Sequence, residues 1–473
     1  MSIDFLRQSF AQGVKPLDGI RVIDSSHVFA IPFTTAILGE LGAEVIKVQA
    51  HTRIDVMASY GPFPENDPGD RPFDRVGCLN TVNRGKKGIS LDLTKPEAIE
   101  IFRKLVAVSD VLAESFTPRV MKKLGLDYDS LIKIRPDLIM LSNTGYGHTG
   151  PWSDYGSVAT ALEGTTGMCW LSGFEDGPPS KVGQSYTDFL ATWNAAYAIL
   201  ASLFRRRRTG KGQWIDLSMY QCGAATLGPA IMDYVANGRV QERAGNRHPL
   251  MAPHNVYQCC GDDRWIAIAI DSNSAWDALR HVMGDPAWAA DNRFMEVTGR
   301  LAAQAEIDQN LADWAADQDA FQLAERLQAL GIMAGVVENG RDLFFDPQLA
   351  ARGFLETVDH NPASGVGQRQ YIGRPWAMSD ADLSIPGPPP MLGEHNCAVL
   401  TELLGYSDSD VDQLAEAGVI GDTPAATRPL RPLALEQMRK RKRIGTFDPH
   451  YRDGVVAGES ARVDIKRYAS ENS

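Results

Sequence analysis

Residues 19–48 read GIRVIDSSHVFAIPFTTAILGELGAEVIKV, and this stretch decides the fold class. Its two ends, 19–24 and 44–48, are short apolar runs with the length and composition of buried strands. The segment 32–41 between them has apolar residues at helical spacing, starts with a proline and is followed by Gly42. Proline is tolerated in the first turn of a helix, and glycine is favoured just after its end. A strand, a helix and a strand in this order predict a parallel sheet covered by helices.

The alternation of strands and helices continues along the chain. Further strands are predicted at 89–93, 110–113 and 138–142. The pattern Thr94-Lys95-Pro96-Glu97 predicts the start of a helix. Ligands of such sheets bind outside the carboxyl ends of the strands. We therefore expect the functional residues in the polar turns that follow the strands, at 25–30, 49–53, 114–118 and 143–150.

A long helix is predicted from about Asp188 to Arg206. Few of its residues are polar, which indicates that the helix is largely buried. It ends in four arginines, 205–208, followed by Thr209-Gly210-Lys211-Gly212. Basic residues stabilise the carboxyl end of a helix dipole, and Gly210 suits the terminating position. We prefer this interpretation of the arginines to nucleic-acid binding, which the formal net charge of −12 also disfavours.

The sequence predicts an α/β fold class with a large Rossmann-like parallel-sheet domain and a smaller α+β domain. The chain of 473 residues is too long for one ordinary core, and its character changes after Tyr234. Two strands across the turn at Gly261-Asp262-Asp263, with several helical patterns after them, predict the smaller domain. The apolar run 332–337 is expected to return the chain to the first domain. The predicted boundaries are a large domain at 1–220, a linker at 221–244, a small domain at 245–330, a return segment at 331–420 that completes the large domain, and a carboxyl-terminal extension at 421–473.

Cysteine usage and hydropathy disfavour several protein classes. The six cysteines are scattered and no two have C-x-x-C spacing, so neither a zinc site nor a thioredoxin-like motif is supported. The first residues have no basic region followed by an apolar one, and no run of about 18 apolar residues occurs. We therefore expect no secretory signal and no membrane span, and we predict a cytoplasmic enzyme with reduced thiols.

The carboxyl-terminal extension contains the basic run Met438-Arg439-Lys440-Arg441-Lys442-Arg443. We interpret it as a solvated or subunit-embracing arm. A nuclear signal and a phosphate-binding arm are the alternatives.

Eight short segments along the chain carry a family resemblance. They are 16–24 (PLDGIRVID), 41–48 (LGAEVIKV), 83–93 (NRGKKGISLDL), 114–116 (ESF), 145–151 (GYGHTGP), 208–213 (RTGKGQ), 245–249 (GNRHP) and 392–395 (LGEH). In this order they resemble family III CoA-transferases, the group of formyl-CoA transferase, carnitine CoA-transferase and the α-methylacyl-CoA racemases. Each segment alone is weak evidence for the family, but the shared order of the segments is specific. Only the tail beyond about residue 421 lies outside the resemblance.

The resemblance implies that Asp188 is the nucleophile. The family's aspartate stands at a fixed distance before the T-G-[KR]-G-Q turn, and Asp188 stands at that distance here. The chemistry asks for such a group independently, because a protein carboxylate can take the acyl group as an anhydride and then CoA as a thioester. A helix amino terminus would stabilise the carboxylate and the developing oxyanion. The alternative for Asp188 is a helix N-cap, a role that aspartate commonly has.

The resemblance also implies which residues bind CoA. Val28, Phe29 and Ala30 are expected to line the thiol arm of CoA and the reacting centre. Cations for the phosphates are expected among Arg53, Arg84, Lys86, Lys87 and Lys123. Ser115 and Phe116 are expected to border the adenine, and Tyr146 the reacting centre. Gly245 and His248 are expected in a loop of the second domain that closes over the acyl site.

Some residues depart from the family pattern. Members often carry Gln or Leu at the position of Phe29 and Gly at the position of Ile31. A phenylalanine there predicts a more apolar pocket, and therefore a bulkier or aromatic acid; simple core packing of Phe29 is the alternative. The family's acidic residue after I-K-V is Gln49 here, and the basic residue normally just behind it is shifted to Arg53.

Particular residues decide between rival functions. The racemase branch of the family needs a histidine where this chain has Ser157, and serine is a poor general base near neutral pH. Intramolecular CoA transfer within one diacid, an isomerase outcome, would use the same Asp188 and stays open. A non-catalytic partner subunit of a heteromeric CoA-transferase also stays open, because the segment 29–31 is altered. A nicotinamide dehydrogenase would need G-x-G-x-x-G after the first strand, and a serine hydrolase at Ser185 would need G-x-S-x-G; neither motif stands there.

The resemblance thus predicts transfer of CoA from an acyl-CoA to a carboxylic acid. Coenzyme A is expected as a substrate, and no metal or redox cofactor is required. The sequence does not identify the two acids, and succinyl-CoA with an aromatic or branched acid is the hypothesis. The family implies a homodimer whose chains thread through each other like linked rings, with a heteromer with a related subunit as the alternative. Neither a nucleic acid nor a membrane is expected as a partner.

Overall fold

The computed structural model describes residues 14–59, 61–183, 185–378, 381, 383–426, 432–448 and 451. These residues form two compact units. The first contains the described residues of 14–166, 183–228 and 350–451, and the second contains those of 167–182 and 229–349.

A six-stranded parallel sheet organises the first unit. Its strands are β1 Arg21–Ser25, β2 Glu44–Gln49, β3 Lys87–Ser90, β4 Val111–Glu114, β5 Ile139–Thr144 and β6 Gln213–Ser218. Their spatial order is β3-β2-β1-β4-β5-β6, so the order reverses between β1 and β4. In such sheets the ligand crevice lies outside the carboxyl ends of the strands at that reversal. The predicted α/β class is confirmed.

The remaining strands and the helices are numbered in the order in which they occur along the chain. The other strands are β7 His254–Gln258, β8 Trp265–Ala269, β9 Met333–Val336, β10 Leu355–Asp359 and β11 Gln368–Ile372. The α-helices are α1 Ala30–Glu40, α2 Pro72–Arg75, α3 Gly77–Asn83, α4 Pro96–Ala107, α5 Pro118–Leu124, α6 Tyr128–Leu131, α7 Ala159–Thr165, α8 Met168–Leu171, α9 Tyr186–Thr209, α10 Met219–Ala224, α11 Gly228–Asn237, α12 Asn273–Val282, α13 Val297–Ala302, α14 Gln304–Ala315, α15 Ala320–Gln328, α16 Gly340–Phe345, α17 Pro347–Ala351, α18 Asn396–Ala398, α19 Asp408–Glu416 and α20 Leu435–Lys440. Short 3₁₀ helices lie at Val56–Ser59, Pro64–Asn66, Ala225–Leu227, Ala287–Ala290, Asn292–Phe294 and Pro362–Ser364, and a π-helix lies at Val399–Leu403.

Helices cover both faces of the parallel sheet. Successive side chains of a strand face opposite sides, so Val22 packs with α1 and α9 while Ile23 packs with α4. Because both faces are covered, the central strands are mostly apolar, which makes them recognisable from the sequence. The edge strand β6 instead alternates between half-buried and exposed residues.

Helix α9 differs from its prediction in how it is buried. It runs from Tyr186 to Thr209 and ends at Gly210, which has the left-handed conformation expected of a terminating glycine. The expectation that the helix is largely buried is wrong for the single chain. Its buried face consists mainly of small residues, which let it approach α1 closely, whereas Trp193 and Tyr197 on the other face are exposed.

The second unit contains an antiparallel sheet of three strands in the order β7-β8-β9. Its core joins this sheet to α12, α14 and α15 through buried side chains such as Ile268, Trp276, Leu311 and Leu323. The apolar run at 332–337 forms β9 and pairs with β8, so it does not return the chain to the first unit as expected. The predicted linker at 221–244 includes most of α10 and all of α11.

The chain after 350 completes the first unit. β10 and β11 form an antiparallel hairpin, and the segment 399–420 adds apolar residues to the layer around α4. The basic run predicted in the extension lies on and just after α20, while the extension beyond 451 lies outside the described residues. None of the helices that the structure describes is long and apolar enough to cross a membrane.

Candidate active site

The turn that leaves β1 meets the turn that leaves β4 at the reversal of strand order. The backbone N–H of His27 donates to Oγ of Ser115 at 3.0 Å. The rings of His27 and Phe116 meet edge to face, with centroids 5.4 Å apart. The two residues predicted to border the adenine, Ser115 and Phe116, therefore line the crevice that the topology defines.

Val28 has a strained backbone conformation in this turn. Its φ is +71°, a left-handed value that costs a residue with a Cβ about 1–2 kcal/mol. Asp55 accepts the N–H of Val28 at 2.8 Å and that of Met57 at 2.9 Å, and its Oδ2 lies 3.6 Å from Nδ1 of His27. Burial alone would raise the pKa of Asp55, but the hydrogen bonds from His27 and the two amides outweigh it and lower that pKa. The carboxylate thus holds the turn in its strained form.

The residues that follow Val28 present unpaired backbone amides. The N–H groups of Phe29, Ala30 and Ile31 stand at the start of α1, where a helix offers no internal acceptor. None of the three has a hydrogen-bond acceptor among the residues that the structure describes. A set of unpaired N–H donors at a helix amino terminus attracts negative charge.

Asp188 lies in the first turn of α9, which packs against the start of α1. It is the third residue of the helix and only 8% exposed. The hydroxyl of Thr192, one turn later, is 2.9 Å from the carbonyl oxygens of both Asp188 and Ala30. The ring of Phe189 packs on that of Phe29, with centroids 4.9 Å apart. The structure therefore brings the predicted nucleophile next to the predicted 28–30 segment.

The first turn of α9 has an unusual start. The N-cap residue is Ser185, with φ +52° and no side-chain cap, so the alternative that Asp188 is the N-cap is wrong. The N–H of Tyr186 donates instead to Oε1 of the buried Glu163 at 2.7 Å. Burial raises the pKa of the Cys78 thiol to about 11, and the negative charges of Asp55 and Asp188 add to the shift.

A buried charged cluster underlies the β1–α1 turn. Asp24 accepts Nζ of Lys47 at 3.1 Å and Nζ of Lys86 at 2.8 Å, and Lys47 also donates to the carbonyl oxygen of Ser26. Burial opposes ionisation of Asp24, yet the two ammonium groups and the hydrogen bonds hold its pKa well below its usual range. Burial lowers the pKa of Lys86 to about 7, although Asp24 partly offsets the shift. The cluster ties the turn to β2 and β3.

The predicted phosphate-binding cations are placed differently from one another. Arg84 is buried and paired with Glu40 at 2.6 Å, and Lys86 belongs to the buried cluster. Lys87 pairs with Glu44 at 2.7 Å near the amino-terminal edge of the sheet, away from the crevice. Arg53, after β2, and Lys123, at the end of α5, are exposed and form no ion pair among the described residues.

Tyr146 and Glu114 lie at the ends of β5 and β4. The ring of Tyr146 packs among those of Trp152, Tyr155 and Tyr220, with centroids 5.7 to 6.0 Å away. Glu114 is fully buried, and burial raises its pKa to about 7, with the nearby charge of Asp216 adding to the shift.

Gly245 and His248 lie in the second unit. Gly245 has φ +58° and its N–H donates to the carbonyl oxygen of Gly173 at 2.9 Å. A Cβ at this position would stand 2.8 Å from the ring of Phe174, so only glycine fits. His248 accepts the N–H of Leu250 at 3.1 Å and helps line a cavity of about 390 Å³ within this unit. Nothing in these contacts assigns either residue a ligand.

Four residues that the structure makes prominent were not singled out from the sequence: Asp24, Lys47, Asp55 and Glu163. Asp24 and Lys47 stand inside apolar strand runs, and a charge in a buried strand is a signal that could have identified them. Asp55 and Glu163 have no such signal, because their partners, Val28 and Tyr186, are distant in the sequence.

Comparisons with known proteins identify a family that the chain resembles over most of its length. The family model described as CoA-transferase family III matches residues 17–396. The succinyl-CoA–D-citramalate CoA-transferase of Chloroflexus aurantiacus is 32% identical over 406 residues, which cover 86% of this chain and 98% of that protein. The succinate–glutarate CoA-transferase of Agrobacterium fabrum is 33% identical over 392 residues, covering 82% of this chain and 96% of that protein.

A solved structure is similar over the same range. The crystal structure of a CAIB/BAIF family protein from Brucella suis has a TM-score of 0.75 and 33% identity, covering 83% of this chain and 100% of that one. The parallel sheet, the order of the sequence segments and the match over most of the chain lead to one conclusion. The chain belongs to CoA-transferase family III.

Proposed function

We propose that this CoA-transferase moves CoA from an acyl-CoA to a carboxylic acid through covalent intermediates on Asp188. The observation that carries the proposal is the position of Asp188, buried in the first turn of α9 and linked through Thr192 to Ala30, whose N–H is unpaired. A nucleophilic carboxylate next to N–H donors for an oxyanion is what acyl transfer needs.

The proposed reaction balances without a net proton transfer. A carboxylate oxygen of Asp188 attacks the thioester carbonyl, the C–S bond breaks, and a mixed anhydride and CoA thiolate result. The thiolate attacks the aspartyl carbonyl, which releases the donor acid as a carboxylate and leaves an aspartyl–CoA thioester. The acceptor carboxylate attacks that thioester carbonyl, giving a second anhydride and the thiolate again. Attack of the thiolate on the acceptor's acyl carbon yields the new acyl-CoA and restores Asp188.

The environment of Asp188 supports each of these steps. Every attack creates a tetrahedral oxyanion, which the unpaired N–H groups of Phe29, Ala30 and Ile31 can stabilise without reorganisation. The positive end of the α9 dipole acts in the same sense on the ionised carboxylate. The packed rings of Phe29 and Phe189 cover one side of this region, which limits the access of water to the reactive anhydride.

We place CoA in the crevice between the ends of β1 and β4. Val28, Phe29 and Ala30 would line its thiol arm, and Ser115 and Phe116 would border its adenine, as the family resemblance implies. Arg53 and Lys123 are the preferred phosphate contacts, because both are exposed and form no ion pair among the described residues. The pairing of Arg84 with Glu40, of Lys86 with Asp24 and of Lys87 with Glu44 gives these three cations other partners, and their role in binding CoA stays a prediction.

The two acids are proposed from the relatives' names. One relative is named for succinyl-CoA and D-citramalate and the other for succinate and glutarate, all dicarboxylic acids. We therefore propose succinyl-CoA as donor and a dicarboxylate as the first acceptor to examine. The packing of Phe29 on Phe189 supports the core-packing interpretation of Phe29 over the prediction of an aromatic acid.

We further propose that the enzyme is a homodimer joined in part through α11. No residue of this helix is buried in the single chain, although it carries Ile231, Met232, Tyr234 and Val235. A contiguous group of large exposed apolar side chains is typical of an interface. A second copy of the chain is the proposed occupant, consistent with the homodimer that the family implies.

Trapping the intermediate tests the proposed reaction. The wild type and the variants D188A and D188N are mixed with succinyl-CoA, quenched rapidly, treated with borohydride or hydroxylamine, and analysed by intact and peptide mass spectrometry. We expect a CoA-sized adduct on Asp188 in wild-type samples analysed without the trapping reagent. Borohydride should convert this thioester to an alcohol and hydroxylamine should convert it to a hydroxamate, both with release of CoA, and neither variant should show any of these products. We also expect kcat with glutarate to fall by at least about a thousandfold in D188N, the order of loss seen when a nucleophile is removed.

A surface aspartate provides the control. Asp129 is exposed on α6, and D129N should form the adduct as the wild type does. An adduct that persists in D188N would contradict the proposal. No adduct from a panel of acyl-CoAs, together with exchange of the α-proton in heavy water, would favour the racemase instead.

A further inference from the structure

Glu163, on α7, lies against the amino terminus of the Asp188 helix. Its side chain is fully buried, and its Oε1 accepts the N–H of Tyr186, the first residue of α9, at 2.7 Å. Its Oε2 is also buried and has no hydrogen-bond partner among the residues that the structure describes. The neighbouring N-cap residue, Ser185, provides no side-chain cap. Glu163 thus supplies the hydrogen bond that a capping side chain normally makes.

This arrangement is unfavourable as a device for stability alone. A carboxylate removed from water with one unpaired oxygen carries a desolvation penalty that a single hydrogen bond to an amide offsets only in part. Glutamate at this position therefore adds little to the free energy of unfolding. What it does determine is the geometry of one particular turn, the turn that carries Asp188.

We propose that Glu163 is a positioning residue for the transfer reaction, an inference that rests on the proposed role of Asp188. The first turn of a helix has unpaired N–H groups and frays easily. By accepting the Tyr186 N–H, Glu163 sets the start of α9 relative to α7, and Asp188 follows two residues later. This contact would therefore help to fix where Asp188 stands relative to the start of α1.

The variants E163A and E163Q separate geometry from charge. E163A removes the acceptor, whereas the amide oxygen of E163Q can still accept the Tyr186 N–H in a side chain of the same length. Misplacing a reacting group by about 1 Å can cost on the order of a hundredfold in rate, so we expect kcat of E163A to fall by about ten- to a hundredfold. E163Q should retain kcat within about threefold of the wild type, because the hydrogen bond is kept.

Three measurements distinguish positioning from a structural role. With succinyl-CoA and glutarate, the KM for succinyl-CoA should change little in E163A, because the crevice between β1 and β4 is untouched. In rapid-quench mass spectrometry E163A should still form the adduct on Asp188, but more slowly than the wild type. The melting temperature of E163A should stay close to that of the wild type.

Thr165 gives a matched control on the same helix. Among the described residues its hydroxyl bonds to two carbonyl oxygens of its own helix, at 3.1 and 3.2 Å, and T165A should have wild-type kcat. A wild-type kcat in E163A, or a loss in E163Q as large as in E163A, would overturn the proposal. If the wild type formed no adduct, the role of Asp188 would fail and the positioning role with it, whereas an adduct in the wild type together with a wild-type kcat in E163A would overturn the positioning role alone.

Discussion

Helices α1 and α11 are similar in length and both apolar, but their surroundings are opposite. All eleven residues of α1 are buried, whereas none of the ten residues of α11 is. In α11 the side chains of Ile231, Met232, Tyr234 and Val235 are between 52% and 70% exposed. One large apolar residue on a surface is ordinary, but four on a short helix are characteristic of a surface that another molecule covers.

The difference shows which of the two helices is fully packed by other parts of the same chain. Around α1 the chain supplies every partner, from the sheet below to α9 above and the charged cluster beside it. This is the part that orients the β1–α1 turn and its unpaired amides. Around α11 the chain supplies no such cover. The scaffold of the proposed site is therefore intrinsic to one chain, while α11 is exposed in the single chain and is the surface on which we propose that a second copy binds.

The largest effect is expected from breaking the charged cluster that anchors α1. Thr35 of α1 donates to Asp24 at 2.7 Å, and Lys86 donates to the carbonyl oxygen of Pro32 at the same distance. D24N would leave two buried ammonium groups without a carboxylate, which should lower the free energy of unfolding by about 3–5 kcal/mol. K86M should cost less, because Asp24 keeps Lys47 as its partner.

Urea denaturation followed by tryptophan fluorescence would measure both variants. D24N leaves two ammonium groups without a carboxylate, whereas K86M leaves Asp24 paired with Lys47, so D24N should have the lower free energy of unfolding. A larger loss in K86M than in D24N would contradict this account of the cluster.

The next largest effect is expected from truncating a side chain inside α1. Leu38 is fully buried, so L38A should lower the free energy of unfolding by about 2–5 kcal/mol through lost burial and a residual cavity. The matched truncation in α11, V235A, should change it by no more than about 0.5 kcal/mol under conditions that keep the protein monomeric. Equal losses in the two variants, measured by urea denaturation, would remove the contrast between the helices.

Glu114, a buried residue of the first unit, predicts a pH dependence of the free energy of unfolding. Burial raises the pKa of Glu114 from 4.5 to about 7. Between these values the unfolded chain has released the proton while the folded chain still holds it, so the free energy of unfolding falls as the pH rises from 4.5 to about 7. The loss through this group amounts to as much as about 3 kcal/mol, because one pKa unit corresponds to about 1.4 kcal/mol.

The variant E114Q isolates this contribution. Glutamine stays neutral, so the stability difference between E114Q and the wild type should shift in favour of E114Q between pH 5 and pH 8. Urea denaturation across that range would measure it. A difference that is independent of pH would show that Glu114 ionises normally in the folded chain.

The smallest effect on stability, but a change in assembly, is expected on α11. M232E and V235E together place two charges on its exposed face and should alter the free energy of unfolding of the monomer by no more than about 0.5 kcal/mol. If a second copy covers this face, the double variant should have the mass of one chain in sedimentation or light-scattering measurements where the wild type has the mass of two. Equal masses for the two proteins would exclude α11 from the interface.

The secondary structure was predictable where tertiary context and local pattern agree. The apolar runs at 19–24 and 44–48 form β1 and β2 nearly as predicted, because strands buried on both faces are mostly apolar. The edge strand β6 was not predicted, because its first residue, Gln213, belongs to the Thr-Gly-Lys-Gly-Gln turn and its residues alternate between half-buried and exposed positions. β9 was predicted as an apolar run but assigned to the wrong unit, because an apolar run does not state which sheet it joins.

The candidate site was predictable in part. Asp188 and the segment 28–30 were both identified from the sequence, although only the fold brings them together through Thr192. Arg84 and Lys86 were chosen as cations for phosphates, and both prove to be buried ion-pair partners. A sequence cannot distinguish an exposed lysine or arginine from a buried paired one, since the carboxylate that neutralises it may be far along the chain.

The sequence by itself determined the alternation of strands and helices, the family and the identity of the proposed nucleophile. These depend on local periodicity and on the order of short segments, which are properties of the chain. Only the tertiary structure decided that Glu163 meets the start of α9, that Asp55 holds Val28 in its strained conformation, and that α11 is left uncovered. Each of these depends on contacts between residues distant in the sequence, and such contacts exist only once the chain has folded.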